Sequence, residues 1–229
     1  MSRQLQFDIG NGDSRVFHSA DVAQEGAKRY TEGRHNTTGL ETVQANPRRG
    51  HQIQAAYKEA QAAPTEAPGI RKSYEAMRSE VHRQHAFMTS PKESGGMGLR
   101  HEVVDEDPYP TPQAMAEDVR GGTIKTFSTK STGGHEFFSD EDNDKFRAVH
   151  DVFGHAAIGR GFSRNGEEAA YLSHRQMFPK AAQAALASET RGQNSFLNYG
   201  ATMGDPEKKF PDQSSKLIGL PAVARKVRR

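Results

Sequence analysis

The sequence predicts an α+β fold: a mostly helical single domain with a small β-sheet and a polar N-terminal arm. Three observations carry this expectation. Apolar residues recur three and four apart over several stretches between residues 51 and 198, the period of an amphipathic helix. Two short runs, 99–104 and 123–129, have strand composition and flank a helix opened by proline. The first fifty residues are polar, in a chain of mean hydropathy −0.84 with 34% hydrophobic residues. A segment that polar adds little to a core.

The elements follow in order. Residues 1–50 are rich in Gly, Asn, Thr and Arg, with scattered Phe7, Val16, Phe17, Leu40 and Val43. They read as an irregular arm with one short helix near Ala20–Arg29, able to order against a neighbour. Ile53, Ala56, Tyr57 and Ala60 give a helix over 51–62, ended by Pro64 and Pro68-Gly69. Ile70, Tyr74, Met77 and Val81 give a second from Gly69 to Phe87, expected to form an antiparallel hairpin with the first. His82 and His85 lie near the negative pole of that helix, which favours them without any ligand role. Leu99–Val104 and Thr123–Thr129 are the strand candidates. Pro112–Arg120 between them is a helix closed by Gly121-Gly122.

From Ser139 the pattern sharpens. Ser139 or Asp140 can cap a helix with an acidic first turn, lined on one face by Phe146, Val149 and Phe153. Gly159–Gly166 is a loop carrying Arg160 and Arg164, either solvated or closing over an anion. Glu167–Phe178 is a further helix, and Pro179 opens a last one reaching toward Asn198. A short apolar piece, Leu217–Pro221, is expected to dock on the body. The domain division is therefore an arm over 1–50, a globular unit over 51–221 and a basic tail over 222–229.

Composition excludes several classes of chemistry. There are no cysteines, hence no disulfides, no thiolate metal site and no cysteine nucleophile. No nucleotide cofactor motif is visible. Met1–Asp8 lacks the apolar stretch of a secretion signal, and no run reaches membrane-spanning length, so no membrane partner is expected. Thirty-one basic residues against 29 acidic ones give a charge of only +2. The excess is concentrated in the tail Ala224–Arg229 and in Pro47-Arg48-Arg49, suited to contact with phosphate or nucleic acid.

The candidate chemistry lies in 145–200. Three of the ten histidines, His150, His155 and His174, fall there with glutamates between them. Imidazoles with carboxylates are a divalent-metal donor set. His150 shares a helical face with Phe146, Val149 and Phe153. Five residues on, His155 is about 140° off that face in an ideal helix, so the two converge only where the helix loosens or ends. Gly154, just before His155, allows such loosening. Glu167, Ala170, Tyr171, His174 and Phe178 share a face in the next helix, which turns Glu167 inward and Glu168 toward Leu172 and Arg175. The expected ligands are His150, His155 and Glu167, with zinc or iron as the ion. Glu168 and His174 are expected as base or as supporting partners. Arg191, Gln193, Asn194 and Arg164 are expected to bind a polar or anionic substrate. The alternative is a hydrogen-bonded polar core with no metal, and helix-end side chains that only cap and brace.

The blocks Phe146–His155, Gly166–Ala169 and Glu189–Ser195 resemble a family of uncharacterised bacteriophage proteins, found alone or within virion-associated polyproteins. The resemblance covers roughly residues 45–221. It implies location in the virion or the host cytoplasm, and contact of the arm with other virion proteins. Locally, His150 to His155 with Gly154 is similar to the HxxxGH helix of aromatic amino-acid hydroxylases, which hold iron with two histidines and a glutamate. Asp151 follows His150 where that helix has glutamate, so only site geometry carries over. Two functions remain in view: a metal-dependent enzyme, either hydrolase or non-haem iron oxygenase, and a virion structural or accessory protein whose His/Glu cluster is structural.

Overall fold

The computed structural model describes residues 18–61, 69–132, 134–135 and 137–200. Phe7, Val16 and Phe17, the Pro64–Pro68 break, the Leu217–Pro221 piece and the tail 222–229 lie outside them. The architecture is mostly helical with a two-stranded sheet. Its elements are α1 (Asp21–Tyr30), α2 (Pro47–Gln61), α3 (Ile70–Thr89), β1 (Arg100–Val104), α4 (Pro112–Arg120), β2 (Thr123–Phe127), α5 (Asp140–His150), α6 (Arg164–His174), α7 (Gln183–Ala187) and α8 (Gln193–Gly200). A π-helical turn, Asp151–Ala156, extends α5, and a second, Ser188–Gly192, joins α7 to α8.

The strands pair in parallel, Arg100 with Thr123 through Val104 with Phe127, so the connection must cross the sheet's length; α4 makes that crossover. Thr111 caps α4 through its hydroxyl, and Pro112 follows at the first helical position. Ser139 is the cap of α5. With Asp142 it forms a reciprocal capping box, a feature worth about 1 kcal/mol. α3 is the central strut: Tyr74, Met77, Val81 and Met88 are buried, and it packs on α5 and α7.

Residues 18–50 do not hang free as an arm. Ala20, Ala23 and Ala27 are fully buried, and the Ala20 N–H donates to the Ala156 carbonyl at 2.8 Å. Side chains this small let α1 approach the π-helical turn closely, and a hydropathy average over the segment hides an apolar face only three alanines wide. The expected hairpin is also corrected. α2 packs on α8, with Ile53 and Tyr57 against Phe196, instead of pairing with α3. Periodicity shows that a helix has an apolar face, not which partner covers it.

Candidate metal centre

α5 and α6 bring His150, His155 and Glu167 together. One donor atom from each lies within 4.8 Å of the others, so the cluster can hold a metal ion. The convergence has a local cause. In the turn Asp151–Ala156 the bonding shifts to the wider i→i+5 pattern, which brings residues five apart round toward one side. The His150 and His155 rings meet edge to face, with centroids 5.1 Å apart. Gly154 leaves the needed space: a Cβ there would sit 3.2 Å from the His150 ring and 3.3 Å from Ala170 Cβ.

Hydrogen-bond partners fix the tautomers. His155 Nδ1 is 2.9 Å from the Arg160 carbonyl, which only accepts, so Nδ1 carries the proton and Nε2 is a lone pair. That lone pair faces Glu167 Oε2 at 3.5 Å. His150 is set by a longer chain. Gln84 donates its amide to Glu80 (3.2 Å) and to the Met177 carbonyl (3.3 Å), which orients its oxygen toward His174 Nε2 at 2.8 Å. His174 Nε2 therefore carries a proton, its Nδ1 is the acceptor, and His150 Nδ1 donates to it at 3.2 Å. His150 Nε2 is left as a lone pair. The neutral forms of both rings thus each leave a lone pair beside the Glu167 carboxylate, a donor set that suits a cation, whether a proton on His155 or a metal.

Burial and neighbouring charge act differently on the two ligand histidines. Burial, reinforced by His155 and His174, holds His150 well below its ordinary value. Burial, with His35 and His155, brings His174 down to about 3. Both are neutral near neutral pH. Burial opposes the imidazolium of His155, but the Glu167 carboxylate outweighs it and the value rises above 6.5. Burial raises the neighbouring Asp151 carboxyl to about 7, with His155 opposing and Glu167 adding to the shift.

The other expected residues are placed as follows. His174 is fully buried between His150 and Gln84, where it orients the His150 ring and has no opening for a base role. Glu168 forms a two-point pair with Arg191, whose guanidinium lies over Tyr171 at 5.0 Å. Each is the other's partner, so neither the base role of Glu168 nor the anion-binding role of Arg191 is free of that bond. Gln193 turns away from the cluster and donates to Glu189 Oε2 at 2.6 Å. Asn194 donates to Glu167 Oε2 at 2.8 Å and so orients that carboxylate. Arg160 is buried, donating to the carbonyls of Leu40, Glu41 and Val43; it braces the preceding loop and does not close over an anion. Arg164 begins α6 beside a cleft of about 30 Å³ that Glu167 also lines.

Two features escape the sequence reading. Gln84 gives one signal: it occupies the buried stripe Met77, Val81, Met88 of α3, where a polar residue needs partners. A second buried network surrounds Glu189, which accepts from the Tyr74 hydroxyl and from Gln193 and faces His135 Nε2 at 3.2 Å. Its members come from 74, 135, 189 and 193, and no spacing rule joins them. No family model matches the chain, and no curated protein and no solved structure shows similarity to it.

Proposed function

We propose that the chain is a metal-dependent hydrolase acting on a small anionic substrate, with zinc or ferrous iron held by His150, His155 and Glu167. The observation that carries this reading is the grouping of His150, His155 and Glu167, one donor atom of each within 4.8 Å of the others, with both imidazole Nδ1 atoms engaged by partners outside the cluster. Two histidines and one carboxylate leave coordination positions for water and substrate. An ion there supplies Lewis acidity and lowers the pKa of water. The residues of the chain do the rest. Gln84 and His174 hold the His150 tautomer, Arg160 that of His155, and Asn194 fixes Glu167. Glu167 lines the cleft as well as the cluster, so substrate in the cleft lies beside the ion. The polar, arginine-bearing lining favours water chemistry over oxidation of an apolar compound.

Elemental analysis of protein purified without a histidine tag tests this. About one equivalent of zinc or iron per chain is expected, with loss in His150→Ala and His155→Ala and loss of hydrolytic activity on phosphomonoester or amide substrates. A folded wild-type chain that takes up neither metal ends the proposal. Metal-dependent oxygen consumption without hydrolysis replaces hydrolase by oxygenase.

A further inference from the structure

The cleft beside Glu167 is walled by α2, α6 and α8. Arg49, Arg164 and Arg191 line it against two carboxylates, Glu167 and Glu168. Those carboxylates are committed, Glu168 to Arg191 and Glu167 to His155 and Asn194. Arg191 is therefore neutralised. Arg164 is not: among the described residues its guanidinium makes no hydrogen bond and no ion pair, only a stacking contact 5.1 Å above the Tyr199 ring. Its Nε is buried without a partner, and so is the Tyr199 hydroxyl. Buried polar atoms are nearly always hydrogen-bonded, so two orphans on one cleft call for an acceptor. Both side chains are held in place. The Tyr199 ring packs where a Cβ on Gly50 would collide with it, and meets the His51 ring edge-on at 4.9 Å. Two helices, α2 and α6, also begin at this cleft with Asn46, Arg49 and Gly50 and with Arg164, which adds the positive ends of their dipoles.

The geometry points to this cleft as the binding site for the oxyanion group of a small ligand, carboxylate or phosphate, received by the Arg164 guanidinium and the Tyr199 hydroxyl. A planar guanidinium matches either group in two-point fashion, and the phenol adds a further donor. As the substrate site of a metal-dependent hydrolase, the assignment rests on the function proposed above. As an anion site it stands without the ion, because none of its donors is a metal ligand. This placement moves recognition from Arg191, which is paired, to Arg164, which is not.

Calorimetric titration of the full chain with inorganic phosphate and with acetate, in zinc-loaded and chelator-treated protein, tests the site. Saturable one-to-one binding of at least one anion is expected in both preparations, and the tighter anion identifies the substrate's group. Arg164→Gln should weaken it by about tenfold or more and Tyr199→Phe by about threefold, in line with loss of charged and neutral hydrogen bonds. Zinc content should stay at the wild-type level in both variants. Thermal melting confirms that each is folded, and the conservative Tyr199→Phe variant remains informative if Arg164→Gln is not. Absence of saturable binding, or wild-type affinity in the folded variants, overturns the anion site. Anion binding in a chain that takes up no metal overturns the hydrolase and leaves this site standing.

Discussion

Glu167 and Glu189 are both buried glutamates set against a buried histidine, and the two pairs carry opposite tautomers. At Glu189 the facing ring is His135. Its Nδ1 accepts from the backbone N–H groups of Phe137 (3.0 Å) and Phe138 (3.1 Å), so the proton sits on Nε2, 3.2 Å from the carboxylate though off the ideal N–H direction. The Tyr74 hydroxyl and the Gln193 amide donate to Glu189, and the His135 Nε2–H faces it. At Glu167 the facing ring is His155, whose proton is spent on the Arg160 carbonyl, leaving lone pair against carboxylate. The first pair sets a proton against a carboxylate without any added ion. The second requires a cation, either a proton or a metal, and Glu167 lines the cleft. Burial and residue type do not separate the two sites; proton placement does.

The largest expected effect is a double dissociation. Glu189→Ala strands a phenol, an amide and an imidazole N–H in the core, and should cost about 3 kcal/mol or more in urea unfolding while leaving metal content intact. Glu167→Gln should abolish stoichiometric metal yet, at a pH where His155 is neutral, change the stability of the metal-free protein by no more than about 1 kcal/mol, since it there relieves a carboxylate facing a lone pair. Parallel loss of metal and stability in both variants would erase the distinction. Next in size is Gln84→Leu. It removes the acceptor that sets His174 and, through it, His150, so metal affinity should fall about 10- to 100-fold. Nitrogen NMR should show the His150 tautomers mixed, an outcome that a mere packing defect would not give.

A third, smaller effect is pH dependence. The raised value of His155 means that metal competes with a proton there, so affinity should climb about tenfold per pH unit until pH passes that value, which lies above 6.5. In metal-free protein, the proton held by His155 stabilises the fold below 6.5, and that contribution is lost as pH rises through the folded value. Asp151, raised to about 7, works in the same sense over a window ending near there. Opposing them, burial and His101 hold His85 down to about 4, and burial brings His174 to about 3. These neutral histidines stabilise the fold above 6.5, and that stability drains away as pH falls toward their folded values. Melts with and without zinc should diverge above 6.5, the metal-free curve falling first. Coincident curves would remove the ion from the Glu167 pair.

Much of this was legible along the chain. The helical phase of Phe146, Val149 and Phe153 placed His150 inward, and that of Ala170, Tyr171 and His174 did the same for Glu167. Gly154 marked where the helix would loosen, although the form it takes, a π-helical turn, is a property of backbone bonding and not of composition. Tautomers were not legible. They depend on Gln84, Met177 and Arg160, which reach the site from other elements. Equally hidden was the pairing of Glu168 with Arg191 across 23 residues, which removes both from the roles that residue type suggested. Local pattern reports faces; pairing across elements decides which polar groups on those faces remain available.

The smallest effect isolates the π-helical turn itself. Gly154→Ala adds a methyl 3.2 Å from the His150 ring and 3.3 Å from Ala170 Cβ, close enough that the ring must give by a few tenths of an ångström. Crowding of that degree costs about 1 kcal/mol. Alanine in place of glycine inside a helix returns about 1 kcal/mol. The unfolding midpoint should therefore hardly move, while metal affinity drops several-fold because the displaced ring no longer aims its lone pair at the Glu167 oxygen. A variant that keeps both stability and affinity would show that the His150 ring has room to spare, and that the i→i+5 turn alone, without the glycine, suffices to bring His150 and His155 together.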